Sequence, residues 1–175
     1  SVITDAVAGL CIHANRVLPE DVCRRMEQCA ACETAPCAKE VFRQLKENWI
    51  FAAKTGLPLC QDTGLAVFFL DIGQDVHIEG DIREAVNEGV RRGYKEGFLR
   101  KSVCEPFTRK NTGDNTPAVI HTTLVPGNTV RIRYMAKGGG SENMSRVTML
   151  APSQGWEGIR EFVIRRVAES GSNPC

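Results

Sequence analysis

Cys60, Gln61, Asp62 and Thr63 stand in a row between Leu59 and Gly64, so four consecutive residues offer a thiol, a carboxamide, a carboxylate and a hydroxyl. A turn needs only one or two residues of this kind. The stretch LCQDTG therefore holds more chemistry than a chain reversal requires: a thiol can ligate a metal, an amide can donate to an oxygen and a carboxylate can move a proton. Three other stretches are crowded in the same way: LRKSVCEPF from Leu99, RKNTGDNTP from Arg109 and KGGGSEN from Lys137. In the first, Arg100 is a better carboxylate clamp than Lys101, because a planar guanidinium makes paired hydrogen bonds that an ammonium cannot. The alternative is a cation settling the dipole of a helix end. In KGGGSEN, Gly138, Gly139 and Gly140 offer bare backbone N–H groups to an anion, with a flexible turn as the alternative; the pattern is neither GxGxxG nor GxxxxGK[ST].

Other reactive side chains have blander readings. Cys29-x2-Cys32, with Cys23 and Cys37 nearby, has the outline of a zinc or cluster knot. These cysteines fall in or between helical segments with no histidine or turn glycine close by, which argues against a metal. Cys11 and Cys104 read as buried thiols. His13, His77 and His121 are scattered and read as structural, and no G-x-S-x-G elbow occurs.

The elements that must carry these stretches follow from periodicity. Helical spacing covers Val2–Val17 and Glu20–Ala31, which reads as a helical hairpin, and then Ala38–Lys54, with Val41, Leu45, Trp49 and Ala52 on one stripe and Gly56 and Pro58 as the stop. LAVFFLDIG, Leu65–Gly73, is apolar throughout and predicts a strand at the centre of a sheet or buried on both faces. Val76–Ile78 reads as a short strand. Asp81 caps a helix that ends near Gly97 and whose small residues, Gly89 and Gly93 among them, suit close packing on the sheet. Ala118–Val125 and Thr129–Ala136 alternate across PGN and predict an antiparallel hairpin. Ser153–Ala168 predicts a helix with Trp156, Ile159, Phe162, Val163 and Val167 inward. The expected class is α+β, an N-terminal helical lobe (1–57) followed by a mixed, largely antiparallel sheet with packed helices (58–175), all one domain.

With 22 Lys and Arg against 21 Asp and Glu in 175 residues, the net charge of +1 supplies no field for nucleic acid or an anionic membrane. No apolar run reaches the length of a membrane span and the N-terminal stretch is unlike a secretory signal, so a soluble, cytoplasmic protein with reduced thiols is expected.

PLCQDTGLAVFFLDIGQDVHIEG, GYKEGFLRKSV, RKNTGDNTPAVIH, AKGGGSENMS and ESGSNPC, in this order, resemble the α subunit of the two-subunit class I fumarases and its relative in L-tartrate dehydratase, both iron–sulfur hydro-lyases. The resemblance runs over essentially the whole chain. It implies a [4Fe–4S] cluster held by three cysteines, of which Cys60 is the first, Cys175 the second and the third lies beyond this sequence, so that the chain is expected to be an N-terminal portion. It also implies Gln61 as a hydrogen-bond donor to substrate, Asp62 as a participant in proton transfer, Arg100 as a carboxylate-binding arginine and Gly139, Gly140 and Ser141 as a carboxylate-binding turn. A β subunit, in an α2β2 assembly, would supply further basic groups and the second proton-transfer residue. The expected activity is reversible hydration of fumarate to (S)-malate, with this piece alone inactive. L-Tartrate dehydration, a zinc-binding module built on Cys23 to Cys37 and a cluster-free scaffold that docks β are the rivals.

Overall fold

The computed structural model describes residues 1–171, with the backbone alone at 141 and 142. Two compact units divide the chain, Ser1–Lys137 and the segment from Gly138 onward. The first contains helices α1 (Val2–Ala14), α2 (Glu20–Cys32), α3 (Pro36–Thr55) and α4 (Ile82–Glu96) and strands β1 (Leu65–Gly73), β2 (Val119–Val125) and β3 (Val130–Lys137). The class is α+β, as expected. No helix among the described residues is long and apolar enough to cross a membrane.

Local signals set the helix ends. Ser1 Oγ accepts the Thr4 N–H at 3.3 Å to start α1. Asp81 Oδ1 accepts the N–H groups of Arg83 at 2.8 Å and Glu84 at 3.2 Å, the capping role read from its position. Gly56 closes α3 at φ 75°, a left-handed conformation that glycine adopts without a Cβ penalty.

The sheet departs from the expected hairpin. β1 lies between the other two strands, parallel to β2 and antiparallel to β3, so β2 and β3 do not pair and the sheet is evenly divided rather than largely antiparallel. The reason lies in LAVFFLDIG itself. An apolar strand is best satisfied at the centre, with a partner on each edge, and the PGN turn therefore crosses the end of β1 instead of folding β2 onto β3. Neighbouring strands lie about 4.8 Å apart, so residues 126–129 bridge roughly twice that distance. Gly73, Gln74 and Asp75 meet the crossing chain through N–H bonds to Thr129 O (2.8 Å), Val125 O (2.9 Å) and Gly127 O (3.0 Å). A side chain at Gly73 would run into the Gly127 carbonyl.

One face of the sheet carries the core: Ala66, Phe68, Leu70 and Ile72 of β1 pack with Val7 and Cys11 of α1 and Val86, Val90 and Tyr94 of α4. The small residues of α4 serve a different partner from the one expected. A Cβ at Gly89 would lie 2.8 Å from Thr4 O, and one at Gly93 2.9 Å from Ala8 O, so these glycines admit the backbone of α1 and not the sheet. α1 packs on α4 and β3 while α2 neighbours α3, which replaces the hairpin expected between the first two helices. Val41 and Leu45 of the α3 stripe are exposed and Ala52 is buried. Residues 76–78 form no strand.

The second unit holds short 3-10 turns at Ser141–Met144 and Pro152–Gln154 and helix α5 (Gly155–Ser170). Trp156, Ile159, Val163 and Val167, expected to point inward, are exposed. Helical spacing identifies a face that can be buried, not that its own unit buries it.

Candidate active site

LCQDTG joins α3 to β1, and its backbone is held by Asn15, Asn48 and Tyr94. Leu59 N–H donates to Asn15 O at 2.8 Å, and Leu59 O accepts from Asn48 Nδ2 at 2.8 Å, which fixes the entry to α1 and α3. At the exit, the Tyr94 hydroxyl of α4 lies 2.8 Å from Thr63 O and 3.1 Å from Gly64 O and shares its proton between them. Tyr94 Oη is in turn 3.1 Å from Tyr134 Oη of β3, which accepts from Asn15 Nδ2 at 3.3 Å; the same amide also donates to Cys11 O at 2.9 Å. Burial pushes the Tyr94 hydroxyl up to about 12 and raises Tyr134 further, and it pushes the neighbouring Cys11 thiol up to about 12. These groups remain protonated near neutrality, as hydrogen-bonding supports rather than acids or bases.

Within the loop, the local geometry presents side chains outward. Asp62 Oδ1 accepts the Gly64 N–H at 3.0 Å in an Asx-type turn, and Gly64 adopts φ 68°. The Asp62 N–H points at Cys60 Sγ across 3.4 Å. Cys60 and Gln61 are exposed and Asp62 is half-buried. Cys60 is a free thiol with an amide donor aimed at sulfur, and such contacts tune thiolate ligands of iron–sulfur clusters. Its exposed thiol is open to a metal. Among the described residues no three His, Cys, Asp or Glu side chains gather to hold a metal ion, the cysteines from Cys23 to Cys37 included. Cys175, the second expected ligand, lies outside the described residues.

The structure brings Arg100 beside this loop through its backbone. Thr63 Oγ1 donates to Arg100 O at 2.8 Å, and the Arg100 side chain is exposed, without a hydrogen bond or ion pair to a described residue. Asn115 completes the connection. It is 0 % exposed, sits at φ 65° and accepts from Ser102 N at 2.6 Å and Val103 N at 3.1 Å on Oδ1, while Nδ2 donates to Gly64 O at 3.2 Å. Gly139 and Gly140 form the turn that opens the second unit, with Gly140 at φ 106°, and Ser141 begins its first 3-10 turn.

Tyr94, Asn115, Tyr134 and Asn15 do not stand out in the sequence, and Thr63 stands out only as one hydroxyl of LCQDTG. Within the crowded stretch RKNTGDNTP, an Asn that tolerates left-handed backbone is the one signal for Asn115. Tyr94 and Tyr134 carried none, because only the fold brings their hydroxyls together. Of the cysteines read as buried, Cys11 is fully so and Cys104 half-buried. His121 stacks on Phe69 at 5.1 Å between ring centroids, a structural role.

A Methanocaldococcus jannaschii protein provisionally named L(+)-tartrate dehydratase subunit alpha is 37% identical over 180 residues, covering 99% of this chain and 63% of its own length. The Escherichia coli K12 and Shigella sonnei L(+)-tartrate dehydratase subunits alpha are each 28% identical over 177 residues, covering 99% of this chain and 58% of theirs. The chain thus spans about three-fifths of the curated relatives it matches. The model of the family described as fumarate hydratase (Fumerase) matches residues 4–175, and the chain belongs to that family.

Proposed function

We propose that this chain forms part of the α subunit of an iron–sulfur hydro-lyase that adds water to, or removes it from, a four-carbon dicarboxylate together with a β subunit. One observation carries the reading: the loop bearing Cys60, Gln61 and Asp62 is bonded directly to the backbone of Arg100, through Thr63 Oγ1 at 2.8 Å. Metal-ligand, proton-transfer and carboxylate-binding groups are thereby held on one rigid support, as orientation-dependent catalysis requires.

Hydration places a hydroxyl on one carbon of the double bond and a proton on the other. Cys60 and Cys175 would be among the residues holding the cluster, which would supply Lewis-acid chemistry at iron. The chain's own residues bind and orient. Arg100 pairs with one substrate carboxylate by two parallel N–H donors. Gln61 donates a hydrogen bond to the substrate, and Asp62 holds or releases the proton of the hydroxyl group that is added or lost. The proton at the neighbouring carbon belongs to a residue of the β subunit.

Fumarate and (S)-malate are the first reading for substrate, as the family description indicates. L-Tartrate is the second, favoured by the names of the relatives. Anaerobic co-expression of the full-length α chain with β, followed by kcat/KM on malate and on L-tartrate, separates them. A much larger value on malate is expected. A much larger value on tartrate reverses the order, and turnover of neither overturns the proposal.

A further inference from the structure

Two stretches that sequence reading kept apart, Leu59–Gly64 and Arg100–Val103, are joined by two independent contacts. Thr63 is 2 % exposed, and its hydroxyl donates to Arg100 O. The buried Asn115 carboxamide spends its acceptor on Ser102 and Val103 and its donor on Gly64. A carboxamide donates from one atom and accepts on another without carrying charge, so it can bridge two segments, and asparagine tolerates the left-handed backbone found at this position. Each contact ends on backbone, so what it fixes is the position of a segment and not the rotamer of one side chain. We infer that Thr63 and Asn115 are positioning residues that form a two-point lock, setting the spacing between Arg100 and the Gln61–Asp62 pair and thereby how a bound carboxylate sits relative to the group that exchanges a proton. The inference rests on the function proposed above for Arg100, Gln61 and Asp62.

The lock makes no contact with substrate and acts through backbone alone. Its loss lets Arg100 drift relative to the Gln61–Asp62 pair, which weakens substrate binding more than it slows the chemical step. Thr63→Val is the cleanest probe, since it keeps shape and removes one hydroxyl donor. Thr4→Val is its matched control: Thr4 is 6 % exposed and its hydroxyl also donates to a backbone carbonyl, Ala85 O at 3.2 Å, between α1 and α4. Asn115→Asp retains the acceptor for Ser102 and Val103 and loses the donor to Gly64.

The assembled protein, full-length chain with its partner subunit, is compared as wild type and as these variants by steady-state kinetics and amide hydrogen exchange. Thr63→Val is expected to raise KM for the preferred dicarboxylate about tenfold with kcat within about threefold. Exchange is expected to accelerate in 59–64 and 100–103 together. Thr4→Val is expected to lose similar thermal stability with KM and the exchange of both segments unchanged. Asn115→Asp, where it folds, behaves as Thr63→Val, and where it does not, the threonine pair decides. A folded Thr63→Val protein whose KM and segment exchange match those of Thr4→Val overturns the lock. Should wild type act on no dicarboxylate while Thr63→Val still loosens both segments together, the lock stands and the function proposed above falls.

Discussion

At the scale of single residues, the loop between α3 and β1 separates two kinds of demand. Cys60 is exposed and is no part of the buried core, whereas Tyr94 is fully buried and holds the loop's carbonyls at Thr63 and Gly64. The two positions therefore fail differently. Cys60→Ser in the assembled protein is expected to leave the melting temperature of the cluster-free form within about 1 °C, since exposed substitutions cost little. It is also expected to abolish the visible absorbance of a reconstituted iron–sulfur cluster, read by anaerobic spectroscopy. Tyr94→Phe reverses the pattern: it leaves two carbonyls without their shared donor and is expected to cost about 1–3 kcal/mol, read as a lower urea midpoint.

At the scale of elements, closeness between α1 and α4 is the controlling dimension. Gly89→Ala improves helix propensity by up to about 1 kcal/mol but brings a methyl group within 2.8 Å of Thr4 O. Overpacking of this kind outweighs the gain, and a net loss of about 1–3 kcal/mol in denaturant unfolding is expected. Gly9→Ala on the exposed side of α1 meets nothing within 4 Å and is expected to stabilise by about 0.5–1 kcal/mol in the same assay. The elements were legible in sequence to within a few residues: Asp81 marks the start of α4, Gly56 the end of α3, and LAVFFLDIG the central strand. Their partners were less so. Alternation in VIHTTLV and VRIRYMAK shows that both are strands with two unlike faces, and says nothing of whether a third strand lies between them. The glycines of α4 declare a close approach without naming the element that approaches. The site divides in the same way, because LCQDTG and Arg100 stand out by side-chain type, while the partners of Thr63 and Asn115 are backbone atoms that every residue possesses.

At the scale of the whole molecule, the buried cluster of Cys11, Tyr94 and Tyr134 ties stability to alkaline pH. Burial raises the thiol from 9.0 to about 12 and the Tyr94 hydroxyl from 10.0 to about 12, and raises Tyr134 as well. Each folded value lies above the unfolded one, so the unfolded chain loses its protons first as pH rises. Stability is complete below pH 9 and is lost progressively toward pH 12. The urea midpoint is expected to be flat near neutrality and to fall across that window, with the fall beginning later in Cys11→Ala; an unchanged profile in that variant would remove the thiol from the account. The position of β1 bears on how the chain is made. Its nine residues are finished at Gly73, yet neither flanking strand is complete until Val125 and Lys137 have been translated. A nascent chain must therefore carry its most apolar strand out of the ribosome with both hydrogen-bonding edges open, and the sheet closes only in one late step. That interval is when aggregation competes with folding, and when a chaperone that shields extended apolar segments raises the yield of the folded protein.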